Sequence, residues 1–134
     1  MSGAPFREER GSGTVLVLAM IAALVMLIGV VHVLGTAAVA AAQAARGADL
    51  AALAGADAAR GLTPGDPCTV AEAVAERNVT RLDSCQVTGR DGTEVFVSVS
   101  VGVPVLPASL SGEHRGPWEA ARTARAGPPS TAEM

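Results

Sequence analysis

The stretch from Val15 to Val31 is unbroken apolar sequence apart from Gly29, and no charged side chain occurs between Arg10 and Arg46. The run continues through Val33 and Leu34, which gives it the ~20 residues a helix needs to cross a hydrocarbon layer of ~30 Å. Past Leu34, the segment Thr36 to Ala45 is almost entirely alanine, the best helix former, and contains no breaker. The helix is therefore expected to run on out of the lipid. Arg46 and Asp49, then Asp57 and Arg60, stand at a helical spacing that lets them pair along one face, while Leu50 and Leu53 supply a narrow apolar stripe. Gly61, Leu62 and Pro64 form a stop signal. The pattern predicts one helix from about Gly13 to Arg60, on the order of 70 Å long at 1.5 Å per residue. Gly29, Gly35, Gly47 and Gly55 keep its surface slim and allow neighbouring backbones to approach, although alanine and glycine here also read as simple filler.

The pattern changes after the loop from Gly61 to Pro67. Thr69-Val70-Ala71-Glu72 has the form of a capping box, predicting a short helix from Val70 to about Leu82. Ala71, Val74, Ala75, Asn78, Val79 and Leu82 share one face of it, as a helix covering a sheet would require. Cys85 to Thr88 is a short strand candidate, and Arg90-Asp91-Gly92 supplies a hairpin turn. Val95, Val97, Val99, Val101 and Val103 then alternate with Phe96, Ser98, Ser100 and Gly102, a period-two strand with one face all valine. Pro104 and Pro107 end it, and Leu106 to Pro117 reads as irregular loop. Trp118 to Ala126 is helical by propensity and a strand by position; the strand is preferred, because a two-stranded hairpin is marginal without a third partner.

These elements define an α+β chain: a long N-terminal helix, membrane span plus aqueous extension, followed by a small head of one helix and an antiparallel sheet. A cytoplasmic leader (1–12) precedes a transmembrane helix (13–35) and its extracytoplasmic continuation (36–60). A small disulfide-linked head of one helix and an antiparallel sheet (61–126) follows, then a disordered tail (127–134) containing Pro128-Pro129. The head is small for a domain, and with one Trp, two Phe and no Tyr in the chain its core must rest on Val, Leu and Ala.

Charge narrows the functions. Ten basic residues, all arginine, face thirteen acidic ones without blocks of either sign, which argues against nucleic acid as a partner. Arg7 and Arg10 lie just before the apolar run, whereas Arg46 and Arg60 lie farther beyond it, so the N-terminus is expected in the cytoplasm and the head outside a single-pass cell membrane protein. In that oxidising compartment Cys68 and Cys85 are expected to form a disulfide worth ~3 kcal/mol in the chain-entropy model. Two buried free thiols are the alternative; no histidine stands at ligand spacing to make them a metal site.

A cleaved secretory signal is the main rival for the N-terminal segment, because Ala38-Val39-Ala40 has the A-x-A form. On that reading the product is a secreted small binding domain released near Ala40. The apolar run is longer than the ~7 to 15 residues of a signal core, which favours a retained anchor.

No catalytic constellation is apparent. His32 lies in the apolar run and His114 in a glycine- and proline-rich loop, so they belong to no common site, and a neutral His32 near the outer interface is the simplest reading. Gly11-Ser12-Gly13 leads into lipid rather than following a strand, which excludes a nucleotide loop. Glu72 and Glu76 share a helix face but are explained by capping and solvation. Asn78-Val79-Thr80 matches a glycosylation sequon that carries little weight in a chain of bacterial character. No enzyme activity, cofactor, metal or small-molecule substrate is expected.

Several segments stand in a telling order: Arg10-Gly11-Ser12-Gly13-Thr14-Val15, then Gln43 through Ala56, then Cys68, Cys85, Gly89 and the valine strand, with Ala124-Arg125-Ala126-Gly127-Pro128 at the close. Together they resemble the TadE/TadG-like proteins of tight-adherence (Flp) pilus systems, especially a short actinobacterial TadE-like group. The resemblance implies a non-enzymatic minor pilin or pseudopilin of a Flp-type pilus or related secretion apparatus, whose partners are membrane lipid and the apparatus's subunits. It also implies a leader removed by a prepilin peptidase after a glycine, making Gly11 the last leader residue and Ser12 the first mature one. Processed members carry a glutamate five residues after the cut; this chain has Leu16 there, so the resemblance leaves cleavage and filament entry open.

Overall fold

The computed structural model describes residues 11–103 and 118–128. The expectations for the leader up to Arg10, for the loop with His114 and for the tail from residue 129 lie outside the described residues. The elements are α1 (Ser12–Ala59), α2 (Pro67–Arg77), β1 (Arg81–Thr88), β2 (Glu94–Gly102) and β3 (Glu119–Ala126), an α+β arrangement with a long N-terminal helix. The chain divides into two compact units, the first ending at Gly35 and the second beginning at Thr36, both within α1.

In the first unit every residue from Gly11 to Gly35 is exposed, including the large apolar side chains from Val15 to Leu34. A helix apolar on all sides and exposed throughout among the described residues suits hydrocarbon, where its backbone hydrogen bonds are satisfied internally. This part of α1 is long and apolar enough to cross a membrane.

In the second unit the same helix becomes one-sided. Ala40, Ala44, Gly47, Ala48, Ala51, Ala52, Gly55 and Ala56 are buried, a run of three- and four-residue steps that marks a single face. Ala44, Ala48, Ala51, Ala52 and Ala56 form one core with Ala71 and Ala75 of α2 and with Val95, Val97 and Val99 of β2. The period-two pattern of β2 puts these valines on the covered face and Glu94, Phe96, Ser98 and Ser100 on the other. The sheet is antiparallel in the order β1-β2-β3, so the valine strand is central. With only methyl groups on the helix side, backbones come close: a Cβ on Gly55 would lie 3.0 Å from Val95 Cγ1 and 3.1 Å from the Pro67 carbonyl oxygen.

The end of α1 is as the stop signal predicts. Gly61 takes a left-handed φ of 74°, its N–H bonds the Ala58 carbonyl at 3.0 Å, and Leu62 N–H reaches back to Asp57 at 2.9 Å. The pairs expected along α1, Arg46 with Asp49 and Asp57 with Arg60, are not formed; the ion pairs among the described residues all lie on the sheet. In the first pair the arginine is N-terminal to its acid, the weaker orientation, and in the second Arg60 lies past Ala59, the last residue of the helix.

The start of α2 differs from the capping-box reading. Asp66 is the N-cap, and its Oδ1 accepts hydrogen bonds from the N–H groups of Cys68 (3.1 Å) and Thr69 (3.0 Å) and from the Thr69 hydroxyl (3.2 Å). Pro67 occupies the first turn, where its missing N–H has no cost. The helix also ends earlier than predicted, at Arg77, and β1 begins at Arg81 rather than Cys85. Leu82 belongs to that strand and pairs with Val99, followed by an irregularity in register between Leu82 and Ser84. Within the 118–126 segment Glu119–Ala126 is a strand, β3, paired along its whole length with β2.

Candidate functional site

The side chains with chemical potential gather on the uncovered face of the sheet. Arg81 sits opposite Ser100 across β1 and β2. Its Nη2 donates to Ser100 Oγ at 3.1 Å and to Glu119 Oε2 on β3 at 3.3 Å, while its Nε donates to Asp83 Oδ1 at 3.0 Å. Ser100 Oγ in turn donates to Asp83 Oδ1 at 3.0 Å, an arrangement the bulge at Asp83 permits by bringing an extra residue to this face. At the other end of the sheet Arg125 of β3 pairs with Glu94 of β2. Each set joins neighbouring strands, and its donors and acceptors are directed at one another. Ser100 is buried and fully engaged, so it offers no activated nucleophile.

A disulfide joins Cys68 to Cys85, with Cα atoms 5.8 Å apart, tying the first turn of α2 to the middle of β1. A second fastening comes from Gln43 of α1, whose Nε2 donates to the carbonyls of Asn78 and Val79, each at 3.3 Å. Thr80 is buried next to it; its hydroxyl donates to the Ala75 carbonyl at 2.9 Å. These contacts hold the corner between α2 and β1 against the second half of α1.

The residues singled out in the sequence are scattered. Gly11 and Ser12 stand at the very start of α1, Leu16 and His32 are exposed on its apolar part, and Glu72 and Glu76 are exposed on α2. Glu72 takes no part in capping, which Asp66 performs. Gly89 has a left-handed φ of 87° where β1 turns toward β2. Among the described residues no group of three or more His, Cys, Asp and Glu side chains is placed to hold a metal ion. The sequence reading missed Asp66, Gln43 and the Arg81 set. Asp-Pro ahead of an alanine-rich helix is a signal for the first; a lone glutamine in an alanine run and a serine in an alternating strand give none.

The first part of α1 is thus long and apolar enough to cross a membrane, and its second part is one wall of a small α+β head. Residues 11–58 match the family described as putative Flp pilus-assembly TadE/G-like. The matched segment and α1 coincide to within a residue at each end, so the likeness is to the long helix. No curated protein and no solved structure matches the chain.

Proposed function

We propose that this protein is a non-enzymatic minor pilin- or pseudopilin-like membrane component of a Flp-type pilus or a related secretion apparatus. The observation that carries the reading is the coincidence of the pilus-assembly family match with α1, whose first part suits lipid and whose second part is a wall of the head. Residues 13–35 act as the anchor, with the N-terminus in the cytoplasm and the head outside, in keeping with Arg7 and Arg10 ahead of the span. The head presents its outer sheet face and exposed helix surface to the apparatus's subunits. The bond between Gly11 and Ser12, at the first turn of α1, is where a prepilin peptidase would remove the leader; Leu16, in place of glutamate, favours a membrane-resident assembly factor over a filament subunit.

Copurification with the inner-membrane platform of the apparatus tests this. An isolated monomer in detergent, together with deletion that leaves pilus assembly and secretion unchanged, would defeat it. The competing reading, a secreted domain released near Ala40, meets a physical objection: Ala40 is buried, and Ala44 and Ala48 one and two turns on are core residues. Cleavage there would cut the helix where it forms the wall of the head. Sequencing the mature N-terminus separates the readings, since Ser12 marks a processed prepilin, Met1 or Ser2 an uncleaved anchor, and Ala41 a secreted domain.

A further inference from the structure

The two edges of the sheet are built differently. β1 is irregular in register between Leu82 and Ser84 and is crosslinked through Cys85 to α2. β3 pairs with β2 from Glu119 to Ala126 without a break, and among the described residues no strand lies on its other side. The Val103 N–H bonds the Trp118 carbonyl at 2.9 Å, which makes these two a hydrogen-bonded pair. Such pairs alternate along an antiparallel ladder, so Ala120, Arg122, Ala124 and Ala126 are the residues that bond β2. The N–H and carbonyl groups of Glu119, Ala121, Thr123 and Arg125 therefore point to the open edge, a regular template for another strand.

One of those carbonyls is already engaged, because Arg122 Nη1 donates to Ala121 O at 2.8 Å. Arg122 stands opposite Val99, on the sheet face that α1 covers, yet it is exposed and makes no ion pair among the described residues. Its neighbours on that face of β3, Ala120 and Ala124, carry no charge. The strand whose fit can be worked out is β3 of a second copy. For two antiparallel β3 strands to bond each other, the outward set of one must stand opposite the outward set of the other. Centred on residue 122, Glu119 of each copy meets Arg125 of the other and Ala121 meets Thr123, two opposite-charge pairs that favour the union. In the same register the two Arg122 residues face each other at a non-hydrogen-bonded site, with Cα atoms ~4.5 Å apart, where like charges oppose pairing. Sliding to the next allowed register in either direction leaves them diagonal neighbours, still within reach of long side chains.

We propose that Arg122 guards the open edge of β3 against pairing with a second copy of this chain. Its charge makes an otherwise self-complementary edge reject itself, and its guanidinium lies on one of the carbonyls that a new strand would use.

The test follows amide hydrogen exchange by NMR in the full chain in detergent micelles, where two copies can meet in any orientation. In the parent, the N–H groups of Ala121, Thr123 and Arg125 should exchange fast and those of Ala120, Arg122 and Ala124 slowly. Arg122→Thr and Arg122→Gln remove the charge; each should slow the outward set severalfold, more so at higher protein concentration, and raise the protein mass by light scattering above that of the parent. Arg122→Lys keeps the charge and should behave as the parent. Adding Thr123→Pro to Arg122→Thr removes an outward N–H where an edge strand tolerates proline, and should restore the parent's mass. Outward amides already slow in the parent would overturn the proposal, since the edge would be filled despite the arginine. Outward amides that stay fast in both neutral variants while the inward set stays slow would also overturn it, since the strand would be intact, open and unguarded.

Discussion

Thr80 fills the space above Gly47. A Cβ built on Gly47 would lie 2.4 Å from Thr80 Cγ2 and 2.6 Å from its Oγ1, inside any tolerable contact. The threonine cannot swing away freely, because it is buried and its hydroxyl is bonded to Ala75. Gly47→Ala is therefore expected to destabilise the head even though alanine is the better helix former. Overpacking costs ~1 to 3 kcal/mol and the helix gain returns ~1, leaving a net loss on the order of 1 kcal/mol. Gly35→Ala, with open space around its position, is the matched control and should not lower stability. Thermal unfolding followed by far-UV circular dichroism measures both; equal midpoints for the two variants would refute the close contact.

The second expectation concerns the cap of α2. Asp66→Ala removes the acceptor of three hydrogen bonds and should cost ~1 kcal/mol, whereas Glu72→Ala should lie within ~0.5 kcal/mol of the parent. A capping box at Thr69 would reverse that order, so the pair of variants decides which residue starts the helix.

Loss of the crosslink is the third. Cys68 and Cys85 are 17 residues apart, and opening that loop should cost ~3 kcal/mol by the chain-entropy model. Alkylation of protein taken from cells, with and without reductant, gives the bonding state by mass. Two alkylated thiols in unreduced protein would show that the bridge is absent, and a Cys68→Ser, Cys85→Ser variant as stable as the parent would show that it contributes nothing.

Val79, just past the end of α2, gives the fourth: its φ is 56°, a left-handed backbone that strains a β-branched residue. Glycine adopts a left-handed φ without strain, so Val79→Gly should relieve ~1 to 3 kcal/mol of strain, less ~0.5 to 1 for the added freedom of the unfolded chain. A head that is more stable with glycine would mean that the fold does not require the valine. A stability loss in Val79→Gly would contradict the strain.

Much of this architecture was open to reading because two periodicities are plain. The unbroken apolar run and the alanine segment fix α1 to within a residue or so, and the five alternating valines mark β2 and its buried face. Where the reading slipped, two local signals competed. Thr69 and Glu72 have the spacing of a capping box, but Asp66 followed by Pro67 is the stronger start, since an aspartate accepts two backbone N–H bonds and proline suits the next position. Val79 and Leu82 prolong the apolar face of α2 in the sequence pattern, and a valine does not advertise a positive φ, so the pattern predicts a helix running through the corner that ends it. β3 is helix-forming by composition yet is a strand, because pairing with β2 outweighs the propensity of its alanines and arginines. The Arg81, Asp83, Ser100 and Glu119 set depends on register and a bulge, which no local pattern carries.

The interior of the head holds methyl and isopropyl groups where most domains hold rings. The chain has no tyrosine, its one tryptophan stands exposed at the foot of β3, and Phe96 lies on the sheet face turned away from α1. Loosening of the packed centre is accordingly dark to intrinsic fluorescence, and a change in Trp118 emission reports the rim of the sheet or an arriving partner. That silence makes the wild-type indole a clean docking probe, already positioned outside the part of the molecule that must stay shut.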